Sequence, residues 1–259
     1  MSDTSKTPDI NHLRGEIDRV DTALLELIAE RLGLNAQVRA SKAGVGVWRP
    51  SREESHVRDL ARRADDLPAS LVSTIMAELM SASLALQGPM RLHVALEGDT
   101  LSNTTLVRDR FGAALPQVPY PTASAALGAA AGEKEAVAIL PAPGGMDRWW
   151  TALCKGGAMA HLHILAALPR TGDAAWPKAV AVSDTPIDAS GHDDTLITVL
   201  EGDAAKLESA IDGLRLHTES GPHRLYVAGD FIAPDDARIT AIKSAKVIGV
   251  LPRPLGTAS

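Results

Sequence analysis

Four cations near the start of the chain, Arg14, Arg31, Lys42 and Arg52, stand next to apolar positions instead of clustering on polar faces. A cation on a helix is ordinarily a solvated charge, but this joint pattern is harder to dismiss. Ser83 and Gln87 follow, four residues apart, a spacing that places them on one helical face. Buried cations require anions. The set therefore points to a small ligand with more than one carboxylate, oriented by bidentate arginine forks. Arg31 and Lys42 are eleven residues apart, close to three whole turns, so they share a face and can lean toward a ligand between them. Arg14 and Arg31 are roughly 25 Å apart along the same axis, too far for both to reach one small ligand.

Positioning these groups requires a long helix. Leu13, Ile17, Val20, Leu24, Leu27, Ile28, Leu34 and Val38 recur at three- and four-residue steps with no intervening proline, which predicts one helix from Leu13 to Lys42. Gly44 and Gly46 break it. A second helix starts around Trp48 to Glu53, with Pro50 in its first turn and Ser51 as a cap, and ends at Asp65-Asp66-Leu67-Pro68. A third runs from Pro68 to Gln87 through Leu71, Ile75, Leu79, Ser83 and Leu86, and Gly88-Pro89 stops it. Strand-like runs then occur at 91–97, 136–140, 162–168 and 179–182, with helix-like segments at 105–111 and 123–131. This alternation predicts an α/β layer. From Thr195 the order is strand 196–200, helix 204–214, a weak strand near His217, strand 224–227, helix 235–243 and strand 246–251.

The totals exclude several classes. With 259 residues the chain has length for one or two cores, and only 3% of them are aromatic, so Ala, Leu, Val and Ile must fill those cores. A net charge of -6 gives no reason to expect nucleic-acid binding. The lone Cys154 excludes an intrachain disulfide and reads as packing in a reducing compartment. Met1 to Asp9 lacks the apolar core of a secretion signal, and no apolar run approaches the roughly 20 residues that span a bilayer. The expected location is cytoplasmic, with no membrane partner. His161 and His163 alternate on a strand without a third ligand nearby in sequence, so a metal site is not expected. Trp149-Trp150 reads as core or interface, Asp193-Asp194 as a turn and Asp235-Asp236 as a helix start.

The N-terminal 90 residues resemble the all-helical chorismate mutase family, in the form fused to prephenate dehydratase. The resemblance rests on Leu13-Arg14-Gly15-Glu16-Ile17-Asp18, Glu30-Arg31, Ala40-Ser41-Lys42, Arg49-Pro50-Ser51-Arg52-Glu53 and Ser81-Ala82-Ser83-Leu84-Ala85-Leu86-Gln87. It implies that Arg14 enters the site from the partner of a homodimer. It further implies that Arg31, Arg52 and Ser83 help hold the two carboxylates, that Glu53 and Lys42 bind the ring hydroxyl, and that Lys42 and Gln87 bracket the ether oxygen. Arg49 falls where some members carry an acid and is left out of the site. Chorismate to prephenate is a unimolecular rearrangement, so the resemblance implies no cofactor and no metal.

The remainder resembles a reduced prephenate dehydratase. Val94 to Ser102 is similar to that family's opening strand and Gly-rich loop, and Ala138 to Gly145 to its strand ending in a proline and substrate loop, here without the usual acid and amide. The family's Thr-Arg-Phe triplet has no counterpart in Lys178-Ala179-Val180-Ala181-Val182. Thr195 to Leu255 is similar to an ACT regulatory domain, most clearly at Tyr226-Val227-Ala228-Gly229-Asp230 and Val247 to Arg253. The Gly-Ala-Leu effector loop is replaced by Gly202-Asp203-Ala204-Ala205.

The resulting expectation is a multidomain chain: an all-α three-helix chorismate mutase domain (1–90), a reduced, one-lobed α/β dehydratase-like region (91–190) and an α+β ACT-like domain (191–259). Its expected activity is that of a chorismate mutase with the dehydratase lost. The alternatives are a bifunctional mutase and dehydratase, or a C-terminal module that senses aromatic amino acids or docks another enzyme of aromatic biosynthesis.

Overall fold

A computed structural model describes residues 9–41, 48–145 and 147–256. They divide into two compact units, with the boundary between Val45 and Gly46. The first unit is helix α1 (Ile10–Ser41). It has the length that the unbroken three- and four-residue apolar repeat requires. Along it Leu13, Ile17, Val20, Leu24, Leu27 and Leu34 are all exposed. Lys42, expected at its end, lies outside the described residues.

The second unit opens with α2 (Pro50–Arg63) and α3 (Ala69–Gln87). Pro50 occupies the first turn, where its missing N–H costs nothing. The N-cap is Arg49, with no side-chain cap. Ser51 is therefore not the cap expected from sequence, and its hydroxyl instead meets Asp188 at 3.4 Å. Helix α3 starts after Pro68 and ends at Gly88. Contrary to the sequence expectation, α3 is long and apolar enough to cross a membrane by length and composition. Core helices of soluble proteins meet the same test, and α3 packs against α2 and α4 (Thr100–Phe111).

A nine-stranded sheet follows. Its strands are β1 (Arg91–Val94), β2 (Gln117–Pro119), β3 (Ala136–Pro141), β4 (His163–Leu168), β5 (Ala179–Ser183), β6 (Asp193–Leu200), β7 (Arg215–Ser220), β8 (His223–Ala228) and β9 (Lys246–Pro252). The order is β2-β1-β3-β5-β4-β9-β6-β8-β7. Strands β1, β2 and β3 are parallel, connected by α4 and by α5 (Ala123–Gly132). That is the arrangement a strand-helix alternation demands. Strand β3 is buried along almost its whole length and β5 throughout, as continuous apolar runs covered on both faces should be.

The two parts of the sheet meet at β4 and β9, which pair in parallel at Ile164 and Gly249. Beyond that junction β9, β6, β8 and β7 are antiparallel. Short helices α6 (Ala204–Ala210) and α7 (Ala237–Thr240) contribute Leu207 and Ile239 to a core with Ile197, Tyr226 and Val247. Asp193 begins β6 instead of forming a turn, and its buried carboxylate accepts from the Ser190 N–H and hydroxyl. Trp149, Trp150 and Cys154 are buried in the core around β3 and β5. Burial raises the Cys154 thiol pKa, which keeps it unreactive. Among the described residues no group of three or more His, Cys, Asp or Glu side chains is placed to hold a metal ion.

Candidate active site

The start of α2 carries two adjacent acids that face different partners, Glu53 at the end of the first turn and Glu54 just beyond it. Glu53 Oε2 accepts hydrogen bonds from Trp48 Nε1 at 3.3 Å and from Arg110 Nη1 at 3.2 Å. A carboxylate there also lies near the positive end of the helix dipole. Arg110 is the penultimate residue of α4, and its side chain is 2% exposed against 13% for Glu53. Its guanidinium sits 5.1 Å from the Phe111 ring centroid, and Phe111 packs on Trp48 at 5.6 Å.

Glu54 lies one position on, with buried Val57 three residues further along the same face. Its carboxylate accepts from Arg170 Nε at 3.0 Å and from Arg58 Nη2 at 3.4 Å. Arg170 also reaches the Ser73 hydroxyl on α3 at 3.4 Å. Burial, and secondarily the neighbouring Arg110, pushes the Arg170 pKa down to about 10, so it remains a cation at neutral pH. Three nitrogens in this cluster, Arg58 Nε, Arg110 Nη2 and Arg170 Nη2, are buried without a hydrogen-bond partner among the described residues.

The remaining site residues named from sequence are distributed over both units. Arg52 is exposed on α2 and Gln87 is half-buried at the last position of α3. Ser83 is buried, and its hydroxyl donates to the Leu79 carbonyl at 2.7 Å. In the other unit Arg14 is exposed and Arg31 is half-buried on α1. Sequence reasoning missed Arg110 and Arg170 because they lie 57 and 116 residues from their partners. The one available signal was the Glu54 to Val57 spacing, which places an acid on the buried face of α2 and so requires a cation opposite it.

A concavity of about 280 Å³ lies elsewhere, where β1 and β3 end and α4 begins. Glu97, Ser102, Asn103, Pro141 and Lys178 line it. Asn103 Nδ2 donates to the Leu96 and Glu97 carbonyls, and Asp99 caps α4 by accepting from the Ser102 N–H at 2.7 Å. These bonds tie the loop after β1 to the helix. They account for the Asp99-Thr100-Leu101-Ser102 sequence as helix capping.

Residues 13–88 match the family model described as chorismate mutase type II. The T-protein of Enterobacter agglomerans is 35% identical over 79 residues, a stretch that makes up 29% of this chain. The matched stretch spans only 21% of that relative's length. Two solved structures share a weaker likeness, each with a TM-score of 0.43. One, described as GqqA, a novel type of quorum quenching acylase, is 17% identical and covers 64% of this chain and 96% of its own. The other, prephenate dehydratase from Streptococcus mutans, is 14% identical and covers 62% of this chain and 97% of its own. The family match and the T-protein relative support an isomerase of the chorismate mutase class at the N-terminus of this chain.

Proposed function

We propose that this chain is a chorismate mutase, converting chorismate to prephenate by a pericyclic rearrangement in aromatic amino-acid biosynthesis. One observation carries the reading. The match spans residues 13–88, and within that span lie Arg14, Arg31, Lys42, Arg52, Glu53, Ser83 and Gln87, the residues to which this reading assigns the site. Breaking and forming bonds within one molecule requires no nucleophile, so the residues have two tasks. Arg14, Arg31, Arg52 and Ser83 hold the carboxylates and so keep the substrate in its compact pseudo-diaxial conformer. Lys42 and Gln87 place donors at the ether oxygen, where negative charge develops as the C–O bond breaks. Glu53 fixes the ring hydroxyl.

Arg14 serves the site of a second copy in this reading. The exposed row Leu13, Ile17, Val20, Leu24 and Leu27 on α1 supports a homodimer, because a soluble helix with such a stripe is stable when another helix covers it. Two long helices running antiparallel would give two equivalent sites.

The reading takes 1–90 as the mutase domain, 91–190 as a one-lobed dehydratase-like region and 191–259 as an ACT-like domain, in a cytoplasmic protein. Loss of dehydratase activity is supported by the loop Pro141 to Gly145, which offers neither acid nor amide, and by the strand at 179–183, which lacks a Thr-Arg-Phe triplet. The test is incubation of the purified full chain with chorismate, following prephenate and then phenylpyruvate. Prephenate alone is expected. Phenylpyruvate would establish the bifunctional alternative, and no consumption of chorismate would overturn the reading. A thermal shift with phenylalanine, tyrosine or tryptophan would assign amino-acid sensing to the C-terminal part.

A further inference from the structure

The acid assigned to the ring hydroxyl is held by a part of the chain outside the mutase match. Glu53 Oε2 takes both of its hydrogen bonds, from Arg110 and from Trp48, while no described residue donates to Oε1. Arg110 lies on α4, beyond residue 88. Glu53 is the one acid within ion-pair distance of Arg110 among the described residues. Burying a guanidinium this completely is costly unless it is paired, so the pairing fixes the Glu53 carboxylate as much as it satisfies the arginine.

The mount is rigid. Val107 and Phe111 of α4 are buried in one cluster with Leu84 of α3. Past the end of α4 the Ala113 N–H donates to Glu78 at 3.0 Å and the Ala114 N–H to the Ser81 hydroxyl at 3.1 Å. Between them and the helix, Gly112 approaches α3 so closely that a Cβ would lie 2.8 Å from the Ala77 carbonyl oxygen, at a φ of +64° that favours glycine. Helix α4 is thus fastened to α3, the helix that carries Ser83 and Gln87, and through Arg110 to Glu53 on α2.

We propose that Arg110 is a positioning residue of the mutase site. With Trp48 it clamps one carboxylate oxygen of Glu53 and so aims the other, Oε1, at the ring hydroxyl of the substrate. This rests on the mutase reading. An unclamped glutamate samples several rotamers, and a group that must be immobilised at each binding event contributes less than one already in place. The α/β part of the chain then serves the mutase chemistry directly, whatever else it binds.

The test compares wild-type full chain with Arg110→Gln and Arg110→Lys on two substrates, chorismate and its analogue lacking the ring hydroxyl. Arg110→Gln is expected to lower kcat/KM for chorismate on the order of 10-fold while changing it less than about twofold for the analogue, so that the preference for the hydroxyl falls by the same factor. Arg110→Lys, which keeps a cation, is expected to recover most of that preference. Trp48→Phe removes the second donor, and a fall in the same ratio of about threefold is expected. This variant decides the matter if Arg110→Gln does not fold. An equal loss on both substrates, or an unchanged preference in the folded variants, would overturn the positioning role while leaving the mutase reading intact. A wild-type chain inactive on chorismate would overturn the mutase reading, and the inference with it.

Discussion

The carbonyl oxygen of Ile164 would lie 2.2 Å from a Cβ placed on Gly249, and the Ile164 Cβ 2.5 Å from it. These two residues are the register at which β4 and β9 pair and the two parts of the sheet join. Gly249 is also opposite Leu196 of β6, next to a register shift at Leu196 and Ile197. Nothing larger than hydrogen fits between the backbones. Gly249→Ala is expected to destabilise the second unit by about 3 kcal/mol, the upper range for overpacking, read as a lower urea midpoint. Gly132→Ala, where a Cβ meets nothing within 4 Å, is the control and should leave the midpoint unchanged or raise it.

Much of this architecture was legible in the chain. The long helix follows from its three- and four-residue apolar repeat, the end of α3 from Gly88-Pro89, and the buried strands β3 and β5 from continuous apolar runs, because each of these leaves a local trace in the chain. The ends of α6 and α7 did not. The helix expected over 204–214 stops at Ala210 because Asp212-Gly213 turns the chain, with Gly213 at a φ of +70°. The one expected over 235–243 begins after the Asp236 cap and closes within a turn, its buried Ile239, Ile242 and Ala245 carried on by successive turns. The site shows the same division. Glu53 stands out beside Arg52 in the sequence, whereas the residue that holds it is 57 positions away, a separation that no local period records.

Glu54 and Arg170 make a second testable joint. Their side chains are 3% and 1% exposed, and Arg170 keeps its charge at neutral pH although burial lowers its pKa to about 10. The sign matters. A cation whose folded pKa lies below its unfolded value costs stability at neutral pH, and that cost shrinks only as pH rises through about 10 toward the ordinary arginine range. Removing one partner strands the other: Glu54→Leu alone is expected to cost about 3–5 kcal/mol. Glu54→Leu with Arg170→Met removes both charges and should recover most of that loss in chemical denaturation. If the double variant were no more stable than the single, the pairing would not be what holds α2 to the end of β4.

The chemistry assigned to Lys42 and Gln87 makes a kinetic prediction. Lys42→Ala and Gln87→Ala should each lower kcat on the order of 10²-fold or more, the scale of losing a donor at a developing oxyanion. Turnover within tenfold of wild type for Lys42→Ala would remove that mechanism. Because a glutamine does not titrate, the wild-type rate should be nearly flat around neutral pH. A steep acid optimum would instead place a carboxylate at the ether oxygen.

Subunit exchange tests whether Arg14 and Lys42 act in one site contributed by two chains. Arg14→Ala and Lys42→Ala are each expected to be nearly inactive alone. In a mixed dimer, one site combines the intact Lys42 of the first chain with the intact Arg14 of the second, while the other site carries both defects. Equal amounts allowed to exchange freely give half mixed dimers, each with one working site, so activity should return to about a quarter of wild type. No recovery after demonstrated exchange would mean that Arg14 serves its own chain. The roughly 25 Å between Arg14 and Arg31 along α1 would then have to be bridged within one subunit, which a single straight helix cannot do.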